Sequence, residues 1–208
     1  MPLSSWSAFL FISLAATFSP GPGVLLAIST CLTLGPRRTL YSSAGNAVGV
    51  FGIAAVAVTG IGLLLRTSPT AFALLKVVGA VYLIYLGVRQ WRSKKGLALP
   101  GAAAAQAATA TSRSGIFVRG LLVALTNPKA ILFFTAVFPQ FMGAGSVDPV
   151  RFLLLTSIFV VCVLVSHLFY IVLAARLGRG TMSPVSMSYL GRLSALVFIG
   201  LGCALLLL

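Results

Sequence analysis

Two short stretches of this 208-residue chain hold the residue types and spacings most suited to chemistry. One is Ser19-Pro20-Gly21-Pro22-Gly23; the other is Thr126-Asn127-Pro128-Lys129. Two prolines and two glycines in five residues do not continue an α-helix undisturbed. Asn127 suits a helix N-cap and Pro128 the first helical position. Ser19 and Pro20 repeat that arrangement, so each stretch is expected to open a half-helix. The spacing agrees: Ser19 and Gly35 lie 16 residues apart, as do Asn127 and Gly143. A half-helix N-terminus presents free N–H groups and the positive end of a dipole, which together attract an anion. Pro20 and Pro22 have no N–H, so those of Gly21 and Gly23 remain. The alternative is a pair of proline kinks that serve packing alone.

Five polar residues call for comment. Lys129 follows the Asn-Pro pair inside an apolar run, where a charge costs at least ~2.5 kcal/mol on insertion scales. It is a candidate for holding a carboxylate, or else it snorkels to the interface. Snorkelling suits Lys76, nearer a span end. Asn46, in Gly45-Asn46-Ala47-Val48-Gly49, either bonds across closely packed helices or contacts a solute. His167, the only histidine, is a candidate for proton coupling or a hydrogen-bonded packing residue. Asp148, the only acid, is expected in a loop near Arg151. With no glutamate and no acid in a span, carboxylate-held metals and paired-acid catalysis have nothing to use, and no phosphate-binding loop is present. Cys31, Cys162 and Cys203 are isolated, so neither disulfide nor metal cluster is expected. The chain is expected to need no cofactor and to be no enzyme.

The elements that carry these residues follow from composition. Hydrophobic residues make up 59% and charged residues 8%, with a mean hydropathy of +1.10. Soluble domains carry roughly 25% charged residues. The pattern excludes a soluble enzyme and a disordered chain, and continuous apolar runs exclude a β-barrel. The fold class is an all-α polytopic membrane bundle. Six spans are expected, near 6–34, 40–65, 69–91, 116–142, 150–175 and 187–208. The first, from Trp6 to Leu34, would be about 44 Å long as a straight helix, against a hydrocarbon core of about 30 Å. Spans one and four are therefore read as broken helices.

The net charge of +14 suggests nucleic acid in a soluble protein. Here the bases fall between apolar runs, which favours anionic lipid as their partner and no nucleic acid. Eleven lie on one side in alternate connections (Arg37, Arg38, Arg89, Arg92, Lys94, Lys95, Arg113, Arg119, Arg176, Arg179, Arg192). Arg66 and Arg151 lie on the other. The eleven-base side is expected to be cytoplasmic, with both termini outside. The whole chain, 1–208, reads as one transmembrane domain: a half near 1–92, a basic Ala-rich cytoplasmic linker near 93–114, and a half near 115–208. Three spans per half would make an inverted repeat, which is a transporter architecture.

Three ordered motifs resemble the lysine/threonine/homoserine exporter family, the LysE/RhtB type. They are Phe18-Ser19-Pro20-Gly21-Pro22-Gly23, the run Gly79 to Gly87 with Arg89 following, and Asn127-Pro128-Lys129-Ala130 with Phe133-Phe134 and Pro139-Gln140-Phe141. The match runs from the first span through the fourth, with a compatible last pair. The resemblance implies a multi-pass bacterial inner-membrane exporter of amino acids, six spans, drive by the proton-motive force, and a homodimer. It makes the two breaks the transport centre: Ser19, Pro20, Gly21, Pro22, Gly23, Asn127, Pro128 and Lys129, with Asn46 as a further substrate contact. Asn46 stands where some relatives carry an acid, which puts direct proton coupling through span two in doubt. The expected function is export of small neutral amino acids such as threonine, homoserine or leucine, by alternating access and with a proton as coupling ion. The competing readings are export of another small solute or cation, and a non-transporting scaffold. A scaffold would not need paired breaks.

Overall fold

The computed structural model describes residues 3–92, 112–143, 148–181 and 184–207. The expected linker, 93–114, lies outside the described residues over 93–111. The described residues are helical throughout, with no strand. The helices are α1 (Leu3–Phe18), α2 (Pro22–Leu34), α3 (Pro36–Thr67), α4 (Pro69–Arg92) and α5 (Arg113–Leu125). They continue as α6 (Pro128–Leu132), a π-helical turn (Phe133–Val137), α7 (Phe138–Met142), α8 (Pro149–Thr181) and α9 (Pro184–Leu207). Six of the ten prolines are the first residue of a helix. There the missing N–H costs nothing and the fixed φ is already helical.

By length and composition, two helices can each cross a membrane, over Pro36–Thr59 and Pro149–Leu177. Two bent pairs raise the number to four: Ser4–Phe18 with Pro22–Leu34, and Arg113–Leu125 with Pro128–Met142, each bent by 50°. Both pairs also end alike. Gly35 closes α2 at φ 86° and Gly143 closes α7 at φ 85°, a backbone conformation that favours glycine.

One local expectation is corrected. Ser19 and Pro20 do not start the second half-helix. The N-cap is Gly21, in extended conformation, and Pro22 is the first helical residue. With Pro at both 20 and 22, the later proline sets the start, and Gly21 supplies no side-chain cap. Asn127 does cap its helix, accepting from the Lys129 N–H at 3.1 Å. The π-helical turn has a local cause as well. Pro139 has no N–H to return to Thr135, and its ring would crowd that carbonyl in a regular helix. Widening the turn ahead of it, with Phe138 N–H bonded to Phe133 O, absorbs both defects.

The bundle is apolar outside and buries a set of polar residues within an otherwise apolar interior. Phe11, Val56 and Leu207 are among the most exposed residues, whereas Asn46, Lys129, Ser166, His167 and Ser194 are buried. That is the arrangement expected when lipid is the solvent. One end of the interior is a phenylalanine cluster. Phe133 stacks on Phe159 with ring centroids 4.3 Å apart, and Phe9, Phe134, Phe138 and Phe141 complete it.

Two helix pairs form the tightest contacts. In α3 and α5, which run parallel, Gly45 and Gly49 meet Phe117, Leu121 and Ala124, while Gly120 meets Ser42. The close approach that Gly45 and Gly49 suggest in the sequence thus occurs, and α5 is the partner. In the antiparallel pair α4 and α9, Gly87 packs on Ala195 and Ile199, and Gly202 packs on Ala80 and Ile84. These contacts are reciprocal: each residue of one set pairs with its counterpart at the same sequence offset. The repeated Tyr-Leu-Gly at 85–87 and 189–191 does not follow this correspondence, in which Gly202 and not Gly191 is the equivalent of Gly87.

Candidate functional site

The two breaks meet inside the bundle around a cavity of about 50 Å³, room for a few waters. Seven of the residues singled out in the sequence line it: Ser19, Gly21, Gly23, Asn46, Asn127, Lys129 and His167. Pro20, Pro22 and Pro128 do not; they shape the backbone that does. Ala16, Thr17, Val50, Phe159 and Val163 supply further wall.

The break between α1 and α2 has two faces of opposite polarity. On the donor face, Gly23 and Val24 stand in the first turn of α2, where backbone N–H groups have no helical partner. Asn46 lies beside them. A methyl group added at Gly23 would stand 3.0 Å from Asn46 Nδ2 and 3.3 Å from His167 Nε2. Asn46 is 4% exposed, and its Nδ2 has no hydrogen-bond partner. A buried amide left unpaired costs about 1–3 kcal/mol, so the cavity is where its partner belongs. His167 Nδ1 pairs with Ser43 Oγ at 3.1 Å, which holds the ring with Nε2 toward Gly23.

On the acceptor face, four consecutive carbonyls are each met by a side chain from elsewhere. Ser166 Oγ donates to Thr17 O at 2.8 Å, and the Tyr170 hydroxyl donates to Phe18 O at 2.7 Å. Lys129 Nζ donates to Ser19 O. Ser194 Oγ donates to Pro20 O at 3.1 Å while accepting from Ser19 Oγ at 2.9 Å. Helices α6, α8 and α9 together thus satisfy the carbonyls that the end of α1 leaves open. The lysine does not snorkel. It is 9% exposed, and its ammonium position lies 5.4 Å from the centre of the Phe198 ring.

Sequence reasoning missed Ser166, Tyr170 and Ser194. A partial signal existed: Ser166, His167 and Tyr170 recur at helical spacing, so one histidine-bearing face of α8 carries polar groups. Ser194 left no such trace. Asp148 is a local cap, accepting from the Val150 N–H at 2.9 Å, and takes no part in the site. Among the described residues no group of histidine, cysteine and acidic side chains is placed to hold a metal.

Chemically, the cavity offers donors along one wall and, along the other, the Thr17 and Ser19 backbone, whose oxygens already hold the Ser166 hydroxyl and the Lys129 amino group. That combination suits a small solute carrying both a cationic and an anionic or carbonyl end. The comparisons with known proteins agree with a membrane carrier. The family model described as LysE type translocator matches residues 14–208. A homoserine/homoserine lactone efflux protein of Salmonella typhimurium is 35% identical, over 99% of this chain and 97% of its own. An uncharacterized membrane protein of Vibrio cholerae is 34% identical over 99% of this chain and 98% of its own. A leucine efflux protein of Klebsiella pneumoniae is 29% identical over 89% of this chain and 87% of its own. No solved structure matches. With the family model covering nearly the whole chain and two of these relatives above 30% identity over almost their full lengths, the chain belongs to the LysE type translocator family.

Proposed function

We propose that this protein is a secondary exporter of small neutral amino acids, a translocator and not an enzyme. The observation that carries the reading is the cavity where the two breaks meet, with unpaired donors on one wall and the Lys129-capped carbonyl of Ser19 on the other. The relatives' names support the solute class. Homoserine, its lactone and leucine share an α-ammonium group beside an sp2 carbonyl carbon, and differ in side chain and in carboxylate charge. A site that recognises the ammonium group and the adjacent carbonyl oxygen suits all three.

Six spans in two inverted halves complete the proposal. The equal bends, the matching Gly35 and Gly143 conformations and the reciprocal α4–α9 contact support it. In this reading the halves rock around the cavity to give alternating access. Two cation–π contacts support the expected topology, since each brings a basic residue of α5 or α9 near a basic helix end of the first half. Arg113 lies over the Tyr41 ring, and Arg192 over the Trp91 ring. The basic ends of the helices then face the cytoplasm and the termini lie outside. His167, the one titratable ring on the cavity wall, is the candidate for proton coupling, and the functional unit is a homodimer.

Uptake into inverted membrane vesicles tests the export reading. Labelled homoserine, threonine and leucine are supplied with and without an imposed pH gradient. Gradient-dependent accumulation of at least one is expected. No accumulation, with the protein shown to be folded and inserted, overturns it.

Gly23 provides a sharper probe of the site. Gly23→Ala is expected to raise the KM for uptake about tenfold. Its methyl would stand 3.0 Å from Asn46 Nδ2, and Asn46 would have to withdraw. Gly21→Ala is expected to change KM little, because its methyl meets Lys129 Cδ at an ordinary 3.5 Å. Equal effects from the two variants would detach Asn46 from the binding wall.

A further inference from the structure

Among the four capped carbonyls, Ser19 O is the exception. Thr17 O, Phe18 O and Pro20 O receive hydroxyl groups, whereas Ser19 O receives an amino group. That amino group comes from the opposite break, on a flexible four-carbon stem. Its other neighbour is the Phe198 ring face, and no carboxylate accompanies it among the described residues. Asp148, the only acid in the chain, is exposed and serves as a helix cap. Lys129 therefore places its amino group in the bundle with no carboxylate beside it among the described residues, held by a backbone oxygen at a helix C-terminus. This is the coordination that an incoming primary ammonium group would itself require.

We infer that Ser19 O is the seat for the solute's ammonium group, and that Lys129 occupies it as a tethered competitor while the cavity is empty. The inference rests on the export reading for its solute class. An incoming ammonium group competes for Ser19 O with the Lys129 amino group already bonded to it, and the two repel wherever both are protonated. Binding thus moves Lys129 Nζ off Ser19 O and toward the carbonyl end of the solute. The unpaired Asn46 Nδ2 and the first-turn N–H groups of α2 already stand on that wall. One lysine then performs two tasks in sequence: it satisfies the carbonyl in the empty protein, and it grips the solute's oxygen in the loaded one.

The test uses the purified full chain in detergent and two pairs of probes. L-leucine is compared with isopentylamine, and L-homoserine with 3-amino-1-propanol; each amine lacks only the carboxylate of its partner. In Lys129→Met the seat is vacated, so the amines are expected to bind about tenfold tighter than to the unaltered protein. The amino acids, having lost their oxygen partner, are expected to bind more weakly. Amine affinity that is unchanged or lower in a variant with an intact melting transition overturns the inference. If Lys129→Met does not fold, Lys129→Ala gives the same comparison, since it too leaves Ser19 O without a side-chain donor. Failure of the export reading is separately visible, as unaltered vesicles that accumulate no amino acid. A gain in amine affinity would then still identify a cation seat on Ser19 O.

Discussion

Lys129→Ala is expected to lower export at least about a hundredfold, equivalent to roughly 2.7 kcal/mol in the rate-limiting step. The protein is expected to remain inserted and folded. Loss of function follows because the substitution removes the only lysine amino group on the cavity wall and leaves Ser19 O without its donor. Retained stability follows from an offset. The orphaned carbonyl costs about 1–3 kcal/mol, but the variant no longer has to bury an amino group without an anion. Lys129→Arg is also expected to fail. A planar guanidinium cannot replace a compact ammonium group wedged between Ser19 O and the Phe198 face. Vesicle flux normalised to folded protein, with a thermal melt of each purified variant, measures the two effects separately. Wild-type flux in Lys129→Ala would remove this residue from the transport path.

Gly45→Ala and Gly120→Ala are expected to destabilise the fold by ~3 kcal/mol or more each, through crowding of one helix against another. A Cβ at Gly45 would stand 1.9 Å from Phe117 O, and one at Gly120 would stand 2.0 Å from Ser42 O. In both cases the atom met is backbone, so no rotamer change relieves the clash. Helices α3 and α5 would have to separate, and the Asn46 wall of the cavity would move with α3. Gly52→Ala is the control on the same helix. Its added methyl meets nothing closer than 3.8 Å, and alanine is the better helix former by roughly 1 kcal/mol. That variant is expected to melt at or above the wild-type temperature. The comparison is read from folded yield and melting temperature of the purified proteins. Equal stability for Gly45→Ala and Gly52→Ala would show that the α3–α5 contact is slack.

The fold class and both breaks were legible in the sequence because each depends on a local property of the chain. Long apolar runs with almost no acids require helices in lipid. Proline without an N–H, Asn127 with a capping oxygen, and glycine at positive φ act on their own backbone neighbours. They therefore announce helix starts and stops without knowledge of the rest of the molecule. Even the local reading had a limit. Ser19-Pro20 and Pro22-Gly23 both resemble a helix start, and the later proline prevailed. The π-helical turn ahead of Pro139 also went unread, because a regular helix interrupted by proline has several ways to yield.

The tertiary structure decided which polar groups meet. Ser166, Tyr170 and Ser194 reach carbonyls 149, 152 and 174 residues away. Nothing in the residues flanking either partner encodes such a pairing. Asn46 became a wall of the cavity, left with an unpaired Nδ2, because the Gly45–Phe117 approach draws α3 inward. Lys129 turned away from the interface because Ser19 O, in the other break, was within reach of its stem. The sequence by itself determined where the backbone must break and which groups the breaks would leave unsatisfied. Packing determined which side chains would satisfy them, since a buried hydrogen bond forms wherever helix approach brings donor to acceptor, whatever the distance along the chain.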